Sequence, residues 1–163
     1  MFETVIGFIV VGAAVVAFWA YQRSQAAMPQ PIPVASDDPE MVAARVKAKV
    51  TVDEFRDLYA SNPNGAWVKV PVTSSRGVLE WMVGDVVELT DVYVKVQLRG
   101  RPATHRGTFQ GLQTFSLRDI ADWQVCLPNG RYRGGYTQRV HFDRMRARGA
   151  LAGAVASEAA KSD

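Results

Sequence analysis

The sequence holds a single cysteine, Cys126, and only two histidines, His105 and His141. One cysteine cannot form an internal disulfide, and in an apolar stretch we expect it to act as a small hydrophobic side chain. A zinc site needs three or four ligands, and no Cys or His lies at ligand spacing. No Ser-His-Asp, Cys-His, P-loop or dinucleotide-binding pattern can be read either. We therefore predict a protein that is not an enzyme, with no catalytic residues, no metal and no cofactor.

The net charge is also small, at +3, but the charged residues are unevenly distributed along the chain. Residues 1–94 hold 7 Lys+Arg against 11 Asp+Glu, a difference of −4, whereas residues 95–163 hold 12 against 5, a difference of +7. Such asymmetry is typical of a surface for phosphates or anionic lipid, and equally of a solvated basic face. The mild net charge and the lack of a nucleic-acid-binding motif argue against nucleic acid as a partner.

An apolar stretch without charge runs from Thr4 to Tyr21. As a helix it would be about 27 Å long, close to the hydrocarbon thickness of a bilayer. A cleaved signal peptide is the alternative, but the only charge before the stretch is Glu3, whereas signal peptides begin with positive charge. We predict a single transmembrane helix over residues 1–23, with the bilayer as a partner. Its anchor residues include Val5, Ile6, Phe8, Ile9, Trp19 and Tyr21.

Residues 24–38 have the composition of a linker, with Pro29, Pro31 and Pro33 favouring an extended segment. Arg23 and later cations follow the apolar stretch, so the positive-inside rule places the remainder in the cytoplasm, and a periplasmic location stays the alternative. We expect a folded domain over residues 39–148 and an Ala-rich tail over residues 149–163.

Alternating apolar residues between Ala66 and Leu98 predict three antiparallel strands. Two more are expected at residues 123–127 and 131–137, joined by the turn at Asn129-Gly130. The predicted apolar faces are Val68, Val70 and Val72 in the first strand, Leu79, Trp81, Val83, Val87 and Leu89 in the second, and Val92, Val94, Val96 and Leu98 in the third.

Two helices are expected before these strands. Asp38 and Pro39 are suited to the start of the first helix, and Thr51 and Glu54 have capping-box spacing for the second. The predicted fold is therefore α+β, an antiparallel meander of about five strands with one or two helices on one face. The expected large core residues are Phe55, Trp67, Trp81 and Trp123.

Two segments are candidates for contact with an anion or a protein partner. The first is the basic, glycine-rich stretch at residues 99–111, and the second is the strand with the Gly-Gly pair, which predicts a bulge or a close approach of the backbone to another group. Exposed connections and a purely structural bulge are the competing interpretations. The candidate residues are Arg99, Arg101, His105, Arg106, Arg131, Arg133, Gly134 and Gly135.

Four short motifs occur in one order along residues 38–148: W-V-K-V-P from Trp67, G-V-L-E-W-M-V from Gly77, D-I-A-D-W from Asp119 and G-G-Y-T-Q-R from Gly134. In this the chain resembles the YegJ-like family of small bacterial domains of unknown function. The resemblance implies a bacterial inner-membrane protein with a small α+β domain, and it implies no activity.

The resulting hypothesis is a membrane-anchored, non-enzymatic protein-binding module, such as an accessory subunit of a bacterial integral membrane complex. The alternative is a small-ligand or anion-binding domain, or an unrecognised enzyme, with a pocket near the Gly-Gly strand and the basic loop.

Overall fold

The computed structural model describes residues 37–150 and 153–162. The predicted transmembrane anchor and nearly all of the predicted linker lie outside these residues. The described part has an α+β fold of four α-helices, six strands and one 3-10 turn. The elements are α1 (Pro39–Val50), α2 (Val52–Ser61), β1 (Ala66–Thr73), β2 (Leu79–Leu89), β3 (Tyr93–Leu98), β4 (Leu112–Ser116), the 3-10 turn (Leu117–Asp119), β5 (Asp122–Cys126), β6 (Tyr132–Gly134), α3 (Tyr136–Ala147) and α4 (Gly153–Ser162).

All six strands form one antiparallel sheet in the order β4-β3-β2-β1-β5-β6. The first four strands are a meander, and the β5–β6 hairpin pairs with the other side of β1. The antiparallel α+β class is thus confirmed, with one strand more than expected. That strand is β4, which the sequence pattern missed because its apolar residues are only partly covered.

Strand β1 buries Val68, Val70 and Val72 as the alternation predicts. The predicted face of β2 is wrong, because Leu79, Trp81 and Val87 are exposed. The register is the reason: residues paired across antiparallel strands share a face, and the partners of the β1 valines are even-numbered. The β2 residues that pack on the core are Met82, Val86 and Leu89.

A change of register between Val86 and Glu88 explains how Leu89 joins this face. The irregularity adds one residue to β2, so the alternation shifts by one position, as at a β-bulge. Before it, Gly84 pairs with Leu98 of the neighbouring strand β3, and an added Cβ would lie 3.0 Å from the Val96 side chain. Apolar residues on both sides of β2 made its faces indistinguishable by periodicity alone.

The start of α1 is as predicted, because the Asp38 carboxylate accepts hydrogen bonds from the Glu40 and Met41 amides at 3.1 and 3.3 Å. The capping box at Thr51 is wrong. Its hydroxyl donates to the Lys47 carbonyl at 2.8 Å and so ends α1 rather than capping α2. Ala48 of α1 and Phe55 of α2 pack in the core on the β1 valine face.

The strand predicted over residues 131–137 stops at Gly134, and α3 begins at Tyr136. Tyr132 and Tyr136 therefore do not share a strand face. Thr137, Phe142 and Met145 are the buried residues of α3. The helix was missed because so few apolar residues face the domain, and its N-cap, Gly135, lacks a capping side chain.

Helices cover both faces of the sheet, whereas the sequence predicted one. Asp122 of β5 pairs with Lys69 of β1 on the face opposite the β1 valines, and α3 bonds to Asp122 there through Thr137. On α4, Ala159 is buried and Lys161 lies 5.8 Å from the Tyr132 ring. The Ala-rich tail therefore packs against this second face and the β6 edge.

Candidate functional site

The eight predicted contact residues fall in two segments, the β3–β4 loop and the β5–β6 hairpin with its following turn. Glu80 anchors the loop, since its carboxylate accepts hydrogen bonds from the Ala103 and Thr104 amides at 2.7 and 2.9 Å. Bonds from Thr104 hold the pKa of Glu80 below its ordinary value. The loop is therefore a shaped part of the fold rather than a loose connection.

Within this loop, the half-buried His105 side chain points towards the turn between β1 and β2. Its Nδ1 accepts a hydrogen bond from the Ser75 amide at 3.2 Å, and its ring meets Phe109 edge-on. The Arg106 amide donates to the Ser75 hydroxyl at 2.8 Å, whereas the Arg101 and Arg106 residues are exposed. Arg99 is paired with Asp85 at 2.6 Å.

In the hairpin, the Arg131 amide is bonded to the Asn129 side chain within the turn, and Arg133 forms an ion pair with Glu54. Gly134 and Gly135 both have positive φ, at 83° and 69°. A Cβ on Gly134 would lie 2.1 Å from the Trp123 carbonyl oxygen. The close approach expected of the Gly-Gly pair is thus to the chain's own β5.

A different surface is formed by the outward side of α1. Met41, Ala44 and Ala48 face the domain, so the helix turns the opposite side to solvent. There Val42, Val46 and Val50 are 43%, 55% and 73% exposed, and we call these three residues the valine stripe. Their four-residue spacing puts them on one side of the helix, and that side faces solvent.

The valine stripe is bordered by cations, and helical spacing places Arg45 and Lys49 on one side of it and Lys47 on the other. Below Val42 and Val46, a cavity of about 280 Å³ reaches Trp81, which is 38% exposed. This exposure also corrects the expectation that Trp81 is a core residue.

An open groove of about 600 Å³ continues from the end of the stripe, where α1 meets α2 and the β2–β3 turn. Its apolar lining is Val52, Val92 and Leu117. Its polar lining is Lys49, Arg56, Asp91, Ser116 and Arg118.

The cations that line the groove differ in whether they form ion pairs. Arg56 is engaged by Asp53 and Asp91, whereas Lys49 and Arg118 form no ion pair with any residue that the structure describes. Stripe and groove together make an apolar surface with basic edges, which is suited to binding and supplies no acid–base pair.

Within residues 37–150 and 153–162, no group of three His, Cys, Asp or Glu side chains is placed to hold a metal ion. Among the same residues, no helix combines the length and apolar character that crossing a membrane requires. Comparison of the chain with protein-family models, curated proteins and solved structures finds no match. The resemblance to the YegJ-like family stays a prediction.

Proposed function

We propose that the protein is a membrane-anchored, non-enzymatic module that docks onto an integral membrane protein through the valine stripe and the adjoining groove. The observation that carries the proposal is the outward placement of Val42, Val46 and Val50 on one helix, where each is exposed. A contiguous apolar patch rimmed by charge is typical of a protein interaction site. The apolar stretch from Thr4 to Tyr21 supports the anchor.

The energetics fit a tethered partner. Covering three roughly half-exposed valines contributes about 3 kcal/mol, since full burial of one is worth about 2 kcal/mol. That alone corresponds to an affinity weaker than about 1 mM. Confinement of two proteins to one membrane raises their effective concentration, so a modest surface suffices. The proposed role is an accessory subunit of a bacterial inner-membrane complex.

The partner surface should be apolar with an acidic border, because the stripe lies among cations. Lys47, Lys49 and Arg118 surround it and the groove. Complementary charge mainly raises the association rate and selects among partners. The alternative, an anion site at the Gly-Gly strand, has less support because Gly134 and Gly135 approach Trp123 and Gln124.

The test is site-specific photo-crosslinking of the full chain in its native membranes. A benzoyl-phenylalanine at position 46 should yield one dominant adduct with an integral membrane protein, whereas the same probe at Leu112, on the edge strand β4, should not. The double variant Lys47→Glu/Lys49→Glu should weaken the adduct, and Lys95→Glu serves as its matched control. Equal products from positions 46 and 112, or an adduct insensitive to the charge reversal, would exclude the stripe as the docking surface.

The anchor is tested by deleting residues 1–24 in the crosslinkable chain. Because the anchor supplies effective concentration, its loss should reduce the adduct while leaving the far-ultraviolet circular dichroism of a folded α+β domain. An undiminished adduct would show that the docking surface needs no membrane tether.

A further inference from the structure

Lys69 occupies an unusual position for a lysine. It lies in the central strand β1, half-buried, on the sheet face that α3 covers. Its cross-strand partners are Val83 on β2 and Asp122 on β5. Alternation along β1 puts Lys69 opposite the valines, but it cannot show that a later helix covers that face.

The neighbouring carboxylate does not neutralise this lysine by direct contact. Each Asp122 oxygen already accepts two hydrogen bonds: Oδ1 from the Trp123 and Tyr136 amides, and Oδ2 from the amide and hydroxyl of Thr137. The Lys69 ammonium forms no hydrogen bond or ion pair with any described residue. Its ammonium group is thus a half-buried charge that the fold leaves without a direct counter-charge.

Electrostatics around Lys69 agree with this geometry. Burial lowers the pKa of Lys69, Arg45 lowers it further by repulsion, and the attraction of Asp122 opposes both. A half-buried cation of this kind is costly unless a second negative group reaches it.

Two cavities meet at Lys69. One, of about 90 Å³, extends from Lys69, Thr137 and His141 towards Arg45 and Trp81. The other, of about 250 Å³, begins at the same three residues and extends along Trp67 towards Gln138. The larger cavity has the volume of roughly eight water molecules at liquid density. That space fits a small organic molecule rather than a nucleotide or a peptide.

The charges in the larger cavity favour a ligand with one negative charge. Arg99 is ion-paired with Asp85, and Glu158 is hydrogen-bonded to Tyr132. Those two wall charges are therefore engaged within the protein, and among the described residues that line this cavity Lys69 is the lysine or arginine left for a ligand. Trp67 and Val83 supply an apolar wall beside it.

We propose that the larger cavity, which we call the chamber, binds a small organic carboxylate. The carboxylate group would lie at the Lys69 ammonium, and the hydrocarbon part would lie along Trp67 and Val83. Ligand sites combine apolar walls with a few placed polar groups in this way. Thr137 and His141 line the same end of the cavity and bound the carboxylate position. The Thr137 hydroxyl already donates its proton to Asp122, so the Lys69 ammonium is the donor that meets the ligand. The site is formed by β1, β2 and α3, and it does not depend on the proposed docking function.

Calorimetric titration of the full chain in detergent with sodium butyrate tests the proposal. Butyrate should bind the wild type, and Lys69→Met should bind at least about 30-fold more weakly, because a charge partner of a half-buried carboxylate is lost. Lys95→Met, in β3, should bind like the wild type. Heat of binding for inorganic phosphate but not for butyrate, equal butyrate affinity in Lys69→Met, or no butyrate binding at all would overturn the proposal.

A second measurement needs no variant. Acetic anhydride should acetylate Lys69 more slowly when butyrate is present, while the rate at Lys95 stays unchanged, as mass spectrometry of digested protein would report. An unchanged Lys69 rate at a saturating butyrate concentration would also overturn the assignment.

Discussion

Thr137 donates both its amide and its hydroxyl to one oxygen of Asp122, each at 2.7 Å. The Asp122 side chain, from β5, therefore caps α3, whose own N-cap residue, Gly135, has no side chain that could do so. The contact ties the sheet to the helix that covers its second face. Burial raises the pKa of Asp122, and the four donated hydrogen bonds oppose that rise.

Asp122→Asn should lower the free energy of unfolding by about 2 to 4 kcal/mol, since an amide nitrogen would face donors that now meet a carboxylate oxygen. Thr137→Val removes one of these bonds and should cost about 1 kcal/mol. Urea denaturation at pH 7 measures both. Asp119→Asn, on the exposed 3-10 turn, is the control and should change stability by less than about 0.5 kcal/mol. An Asp122→Asn variant as stable as this control would show that the cap is unimportant.

Substitution of Gly130 and of Gly134, both near β6, distinguishes the cost of a positive φ angle from the cost of a steric clash. Gly134 and Gly130 have similar φ angles, 83° and 77°, but a Cβ on Gly134 would lie 2.6 Å from the Trp123 ring whereas one on Gly130 would have no neighbour within 4 Å. Gly130→Ala should cost about 1 kcal/mol for the positive φ alone. Gly134→Ala should cost about 3 kcal/mol or more, because the Trp123 backbone cannot move freely. Thermal unfolding of the pair is decisive, and equal losses would argue against the clash.

Acid should weaken the contact between α1 and α3. The hydrogen bond from Arg144, at 2.7 Å, holds the pKa of Asp38 below its ordinary value of 3.8. A lowered folded-state pKa adds stability above the ordinary value, and this is lost as the pH falls through the lowered one. Asp38→Asn keeps a capping side chain but loses the ion pair. Its stability deficit should be present at pH 6 and vanish as the pH falls through the lowered pKa of Asp38. Urea midpoints across this range test it, with Asp37→Asn as the control; a deficit independent of pH would contradict the ion-pair account.

Alkali should release α4 from the sheet. Burial, with a hydrogen bond to Glu158, raises the pKa of Tyr132 to about 12 from 10.0. A raised folded-state pKa means that stability is intact below pH 10 and declines as the pH rises through the folded value. Tyr132→Phe should therefore flatten the decline that the wild type shows between about pH 10 and 12. Ultraviolet phenolate titration and guanidinium midpoints provide the two readouts, and Tyr136→Phe at the start of α3 is the comparison. A wild-type decline unaltered in Tyr132→Phe would assign it to other groups.

The fold class could be predicted because β1 and β3 alternate cleanly. Val70, Val94 and Val96 have polar or half-buried neighbours, and one buried face per strand is what period-two alternation reports. For β2 the same argument failed, since Trp81 and Met82 are both large and apolar. Only the register to β1 decides which of them faces the core.

The candidate site was less accessible to sequence reasoning. The repeat of Val42, Val46 and Val50 is visible, but the competing small side of α1, with Ala44 and Ala48, gives no signal that it is the one that packs. The sequence does not show that α3 covers Lys69, because the N-terminal cap of α3 is supplied by Asp122 of β5. A capping interaction between distant segments leaves no local motif, so neither the helix nor the chamber beneath it could be read in advance.

Strand β1 is paired on both sides, with β2 by a tight hairpin and with β5 across the whole meander. The hairpin closes a short loop, whereas the β1–β5 ladder must close a long one, which costs more chain entropy. We therefore expect the meander to assemble early and the β5–β6 hairpin to join late, carrying α3 with it. On this order, the chamber around Lys69 comes into existence only in the last step of folding, and a carboxylate bound there would slow unfolding far more than it speeds folding.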